Sequence, residues 1–216
     1  MSFHTNLRQL AFVPFVLFGG LSGLIAWLPA MQINHWNQED PPDTRPESVK
    51  RGRLVYLREG CSQCHTQQVR SDDRLARDAK GRLRVLEMDA RYGPASQPED
   101  YAGEETPTLG TQRTGPDLFN VGDRVPSADW NYIHLYDPRA VVPSSIMQRY
   151  PWLFRGTEDH QAEDRRIILT DEVKARLEPD PTKRRSVNLY ATPDAQALVD
   201  YLLWLRPSSR EGKGPP

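Results

Sequence analysis

From Leu10 to Met31 the chain reads LAFVPFVLFGGLSGLIAWLPAM, 22 residues without a formal charge, and no other feature constrains its architecture as strongly. As a helix the run spans about 33 Å at about 1.5 Å per residue, enough to cross the hydrocarbon core of a bilayer. Trp27 and Trp36 fall where an interfacial aromatic belt lies, and Pro14 is tolerated near a membrane-helix end. A cleaved secretory signal is the competing reading, with Arg8 as its basic segment and Leu28-Pro29-Ala30 as its cleavage site. Signal peptides have apolar regions of only about 7–15 residues, so a retained anchor is expected. Arg8 is the only Lys or Arg before the span, and the first charges after it are Glu39, Asp40 and Asp43. That asymmetry predicts a cytoplasmic N-terminus and an exported C-terminal part. Gly19 and Gly23 form a G-x-x-x-G pair that either admits a neighbouring membrane helix or reflects the frequency of glycine in such helices.

The remainder is polar. A mean hydropathy of −0.68 averages the apolar run with a strongly hydrophilic segment. The 28 Lys and Arg nearly balance 29 Asp and Glu, for a net charge of −1, which argues against nucleic acid as a partner. The stretch from Glu39 to Pro46 is proline-rich and charged and reads as an extended linker. The expected organisation is a cytoplasmic tip and anchor over residues 1–36, a linker over 37–46 and a soluble domain over 47–216. Within that domain, Glu47 to Glu59 carries Val49, Leu54, Val55 and Leu57 at near-helical spacing and stops at Gly60, a suitable C-cap. Pro193 to Leu205 is a second amphipathic helix, with Thr192 as N-cap and Pro193 at the first helical position. Between them lie turns and few alternating runs, which predicts little strand.

The only two cysteines stand in Cys61-Ser-Gln-Cys64-His65, directly after the first soluble helix. C-x-x-C-H is the attachment sequence of c-type haem. Two thiols three positions apart on one turn each form a thioether with one vinyl group, and the adjacent His65 presents its imidazole to the iron. Competing readings are weaker. Zinc wants four N or S ligands and no second cysteine pair exists. A redox dithiol needs a βαβ context, and a disulfide between residues this close restrains little chain. For the opposite face of the iron the candidates are Met88, Met147, His35, His134 and His160. Met147 is preferred because it lies in the proline-bounded segment Val142 to Trp152, which can hold a loop across a haem face. Met88 sits between Glu87 and Asp89 in a charged stretch. His134 is the next candidate, with a structural role on a short helix as its plainer reading.

Several further motifs occur in one order: Arg58-Glu-Gly-Cys-x-x-Cys-His-x-Gln67, Arg113-Thr-Gly-Pro-Asp-Leu118, Asp129-Trp130, His134-Leu-Tyr-Asp-Pro-Arg139 and Val141-Val-Pro-x-Ser-x-Met147-x-x-Tyr150-Pro-Trp-Leu153. Together they resemble the mono-haem cytochrome c subunit (CcoO or FixO) of cbb3-type cytochrome c oxidases, over the anchor and most of the soluble domain. The resemblance implies a mainly α protein: one transmembrane helix plus a class I cytochrome c domain with long irregular loops, whose first and last helices cross. Gly52 and Tyr56 would there meet Leu198 and Tyr201. It implies one covalent haem c on Cys61 and Cys64, His65 and Met147 as axial ligands, and the Pro116 carbonyl as hydrogen-bond acceptor for His65. Tyr92, Trp130, Tyr150 and Trp152 are expected to line the pocket or bond the propionates, and Arg113 to neutralise one. The plainer reading makes these aromatics core and Arg113 a solvated charge.

With both axial positions filled, such a subunit moves single electrons and leaves oxygen chemistry elsewhere. The expected partners are a catalytic haem-copper oxidase subunit, other membrane cytochrome subunits and a soluble or tethered cytochrome c donor. The expected location is the bacterial inner membrane, with the C-terminal domain in the periplasm. The alternatives are the cytochrome subunit of a nitric oxide reductase, a divergent haem-copper reductase, and a haem-based sensor or assembly subunit. The charged clusters between Arg155 and Ser186 read as a solvated helix and loop or as a subunit contact.

Overall fold

The computed structural model describes residues 7–31, 43–71, 91–96, 98–101, 104, 106–184 and 187–206. His35, Trp36, Met88 and most of the linker lie outside the described residues. Packing divides the chain into two units, Met1–Asp43 with Tyr101–Glu105, and Thr44–Asp100 with Thr106–Pro216.

In the first unit, helix α1 (Leu7–Ser22) runs into a π-helical turn, Gly23–Trp27, and stays helical to residue 31. Pro14 lies inside α1, where it removes one backbone hydrogen bond. Every residue from Leu10 to Met31 except Gly23 is exposed. The Leu10–Met31 helix is long and apolar enough to cross a membrane.

The second unit is mainly helical. It contains α2 (Glu47–Arg58), α3 (Val121–Arg124), α4 (Ala128–Tyr136), α5 (Asp171–Leu177) and α6 (Pro193–Trp204). Among the described residues, strand is confined to β1 (Phe154–Arg155), β2 (Arg165–Arg166) and β3 (Tyr190–Ala191), an antiparallel sheet in the order β1-β3-β2. Ala191 pairs with both Phe154 and Arg165.

Local chemistry explains where the two long helices begin and end. Helix α2 carries Glu47 in its first turn and Arg58 in its last, matching the helix dipole, and the chain leaves it through Gly60 at φ +71°. Its inner face is Val49, Gly52, Val55 and Tyr56, whereas Leu54 is exposed. Helix α6 starts with Pro193 at its first position, and Thr192 Oγ1 accepts a hydrogen bond from the Ala195 N–H at 3.3 Å. It buries Ala195, Leu198, Val199, Tyr201 and Leu202.

These two helices pack against each other closely because Gly52 has no side chain. A Cβ there would stand 1.9 Å from the Ala197 carbonyl oxygen and 2.7 Å from Tyr201 Cβ. One turn on, the Tyr56 and Tyr201 rings meet edge to face with centroids 5.5 Å apart, a contact worth about 1 kcal/mol beyond its buried area. At the α6 N-terminus, Asp194 accepts from Arg51 at 2.6 Å and Arg58 at 2.9 Å.

The segment from Arg155 to Ser186 differs from the solvated helix and loop read from its charge. It supplies β2 and α5, and it buries Ile167, Leu169 and Val173 in the common core. The Ile167 N–H bonds the Leu189 carbonyl at 2.9 Å. Most of its charges are exposed, the Asp164 side chain is shielded from solvent against Arg155 at 2.7 Å, and three apolar residues dispersed among them carry the packing.

Candidate haem-binding site

The cysteine motif is a single 3-10 turn, Cys61–Gln63, set on the end of α2 by Gly60. It is closed by the Cys64 N–H on the Cys61 carbonyl at 3.2 Å, and the His65 N–H bonds the same carbonyl at 2.9 Å. The turn is laced to a second loop by backbone bonds from Thr111 to Ser62 (3.1 Å), Gly115 to Cys64 (2.9 Å) and Leu118 to Thr66 (2.8 Å), and from Gln67 to Leu109 (3.0 Å). The Gln67 side chain is buried, and its Oε1 accepts from Thr108 Oγ1 and from the Tyr201 hydroxyl, each at 3.1 Å. The loop that follows the motif is thereby tied to α6.

Asp117 holds the two loops together. Its carboxylate is fully buried and accepts from Thr66 Oγ1 at 2.5 Å, the Gln68 N–H at 2.9 Å, the Phe119 N–H at 2.8 Å and Arg113 at 3.0 Å. A buried charge survives when it is paired and its lone pairs are all taken up, as here.

This scaffold fixes His65. Its Nδ1 lies 2.7 Å from the Pro116 carbonyl oxygen. A carbonyl only accepts, so the proton sits on Nδ1 and the Nε2 lone pair is left for a metal. Burial pushes the His65 imidazolium below its ordinary range against the opposing Pro116 bond, which favours the neutral ring a ligand requires. Gly115 leaves room for that ring: a Cβ there would stand 2.2 Å from His65 Cε1.

A cavity of about 710 Å³ opens in front of His65, within the usual size of cofactor sites. Cys61, Cys64, Pro116, Trp130, His134, Met147 and Tyr150 all line it. A smaller chamber of about 120 Å³ continues inward from His65, Met147 and His134 to Tyr56, Leu198 and Leu202, with Arg124 as the one cation on its wall. Both cysteines are free thiols. Burial, with Glu59 nearby, pushes the Cys61 thiol up to about 12, so it is held protonated.

His134 projects from α4, which is capped by the Ser127 hydroxyl on the Trp130 N–H at 3.2 Å. Its ring stacks on Trp130 with centroids 4.6 Å apart, and its buried Nδ1 has no hydrogen-bond partner. Burial first, and then the nearby His65, push its pKa down to about 4.

The residues read from sequence therefore divide. Cys61, Cys64, His65, Pro116, Trp130, Tyr150 and Met147 share one cavity wall. Tyr92, Arg113 and Trp152 are not on either wall. Tyr92 is buried beneath the guanidinium groups of Arg91, Arg113 and Arg124, each within 5.3 Å of its ring centroid. Arg113 is committed to Asp117, Thr66 and Gln68, for it is the counter-charge that permits the buried carboxylate. Trp152 is exposed, and its indole N–H bonds Glu59 at 3.0 Å beside the cavity mouth. Sequence reasoning missed Arg124 and the organising role of Asp117, although both stand in or near the Arg113 to Leu118 motif.

The donor set fits a c-type haem. An imidazole with its far nitrogen engaged, a thioether and two free thiols face one largely apolar cavity. Among curated proteins no sequence matches this chain. A family model described as cytochrome c oxidase, mono-heme subunit/FixO, matches residues 3–201, nearly the whole chain. The chain belongs to the FixO family of mono-haem cytochrome c oxidase subunits.

Proposed function

We propose that this chain is a single-pass c-type cytochrome that relays single electrons from a soluble or tethered cytochrome c donor to the catalytic haem-copper subunit of a cbb3-type oxidase. The observation that carries this reading is the convergence of Cys61, Cys64, His65 and Met147 on one cavity, with His65 Nδ1 on the Pro116 carbonyl. A covalently held haem supplies one-electron redox chemistry between ferric and ferrous iron. Cys61 and Cys64 would attach it and His65 and Met147 would ligate its iron, so that it would carry electrons and take no substrate of its own. Arg124, the cation on the inner wall, would be the residue to neutralise a propionate, although it also donates to the Asp117 backbone carbonyl, while Arg113 is held by the Asp117 carboxylate and lies off the wall. Residues 1–36 are the anchor and residues 47–216 a class I cytochrome c domain on the periplasmic side of the inner membrane, joined by the linker at 37–46.

Two measurements test this. Cys64→Ser should abolish haem staining of the denatured chain on gels; unchanged staining sinks the covalent assignment. Purification in mild detergent should recover a copper-containing catalytic subunit. Recovery of a non-haem-iron subunit instead overturns the oxidase assignment in favour of a nitric oxide reductase.

A further inference from the structure

Among the described residues three histidines occur, and two of them face the same space. His160 is remote from it, stacked on Tyr190 at 4.2 Å with Nδ1 on the Thr157 carbonyl at 2.8 Å. His65 and His134 both line the large cavity and its inner chamber, together with Met147. His134 is thus a nitrogen donor inside the site that the pairing of His65 with Met147 leaves without a task.

The supports of His134 and Met147 differ. His134 stands on a regular nine-residue helix with both ends capped, its ring plane set by Trp130. Met147 stands in an irregular segment pinned at its ends by Ser145 N–H to Val142 O at 2.9 Å and Tyr150 N–H to Leu135 O at 3.0 Å. Between those pins, Ile146, Gln148 and Arg149 are exposed, the Arg149 guanidinium pairs with Asp137 at 2.6 Å, and Met147 is partly buried against the core with its N–H on the neighbouring Ser145 hydroxyl at 3.2 Å. Irregular loops with exposed flanking residues open at a lower free energy than helices packed in a core. The sulfur is therefore carried by a loop and the imidazole by a capped helix, so the loop is the element that opens at lower cost. A buried ring nitrogen without a partner, as at His134 Nδ1, also costs stability unless the site gives the ring a function.

We propose that His134 is a reserve axial ligand, which takes the position of the Met147 thioether when that sulfur is withdrawn from the iron. The exchange breaks one sulfur-to-iron coordinate bond and forms one nitrogen-to-iron bond. No electron or proton is gained or lost, because a neutral imidazole replaces a neutral thioether. Imidazole is a harder and stronger σ-donor than thioether and favours ferric iron, so the exchange lowers the reduction potential. A displaced Met147 then leaves a closed, low-potential centre in place of an open one able to bind small ligands. The inference rests on the haem reading above.

The test uses the full-length chain in detergent with haem attached, comparing the wild type, Met147→Ala and the double variant Met147→Ala/His134→Phe by electron paramagnetic resonance, optical spectra and redox titration. Attached haem is quantified first in each variant. The single variant should lose the near-infrared sulfur-to-iron band, remain low-spin with a bis-imidazole signal, and titrate at lower potential. The double variant should turn high-spin and bind carbon monoxide when reduced. A high-spin single variant overturns the proposal, as does a double variant that stays low-spin, which assigns the position to another group. Persistence of the near-infrared band in the single variant overturns both Met147 as ligand and His134 as its reserve. Loss of attached haem from the wild type overturns the haem reading itself and is recognised separately by the stain.

Discussion

His65 donates its Nδ1–H to the carbonyl oxygen of Pro116 across 2.7 Å, and the ring so held lies directly against Gly115. The acceptor is backbone, so its geometry is set by the loop from Arg113 to Leu118 and hence by Asp117. A side chain added at residue 115 meets the His65 ring first.

Gly115→Ala should displace the His65 imidazole, because the new Cβ stands 2.2 Å from Cε1 and 2.7 Å from Nδ1. Overpacking of this kind costs about 1–3 kcal/mol. The expected result is a chain that folds but carries its haem with an altered low-spin spectrum or in reduced yield. An optical spectrum identical to the wild type would show that the ring has room to spare.

Asp117→Asn should destabilise the soluble domain by about 3 kcal/mol, since it leaves Arg113 without its counter-charge in a largely buried site. An amide also has only one acceptor oxygen for the Thr66 hydroxyl, the Gln68 N–H and the Phe119 N–H. Thermal unfolding of the full chain in detergent reads the effect. At about 2–4 °C for each kcal/mol, the midpoint should fall by about 6–12 °C.

Gly52→Ala should be at least as damaging. A Cβ 1.9 Å from the Ala197 carbonyl oxygen meets backbone, so α2 and α6 must move apart and the edge-to-face contact of Tyr56 with Tyr201 opens. A loss of about 3 kcal/mol is expected. A variant as stable as the wild type would mean that the two helices can slide at no cost.

Asp194→Asn should show a pH-dependent deficit. Partial burial alone raises the Asp194 carboxyl, but the hydrogen bonds from Arg51 and Arg58 outweigh it and hold the group below the ordinary carboxylate range. A depressed pKa in the folded state contributes stability above the unfolded value of about 3.9 and loses it as pH falls through the folded value. The variant should therefore be less stable by about 1 kcal/mol at pH 6–7, given that both arginines are over half exposed, and the gap should close below about pH 4. Denaturant midpoints at pH 7 and pH 3.5 check this; a gap that widens in acid reverses the assignment.

The features legible in the sequence were those set by neighbours along the chain. A run of uncharged residues makes a helix long enough to cross a membrane, whatever surrounds it. Thr192 and Pro193 start α6, and Gly60 ends α2, because capping is decided within one turn. The spacing of Cys61, Cys64 and His65 likewise places three groups within five residues, on a 3-10 turn (Cys61–Gln63) and the two residues that follow it.

Which distant side chains meet was decided by the tertiary structure. Tyr92 and Arg113 look as suited to a haem pocket as Trp130 and Tyr150, yet the first pair packs around Asp117 and the second faces the cavity. The difference lies in the buried carboxylate, which needs a cation and draws Arg113 away, an electrostatic demand that no local pattern announces. Charge masked Ile167, Leu169 and Val173 in the same way, since three apolar residues spread through a polar segment reveal their side only when the core is in place. Sequence determined the long apolar helix, the helix ends and the cysteine turn through short-range sterics and capping. Only packing over long separations decided that His65, His134 and Met147 share one cavity, because three groups 69, 13 and 82 positions apart have no common local signal and are joined by burial alone.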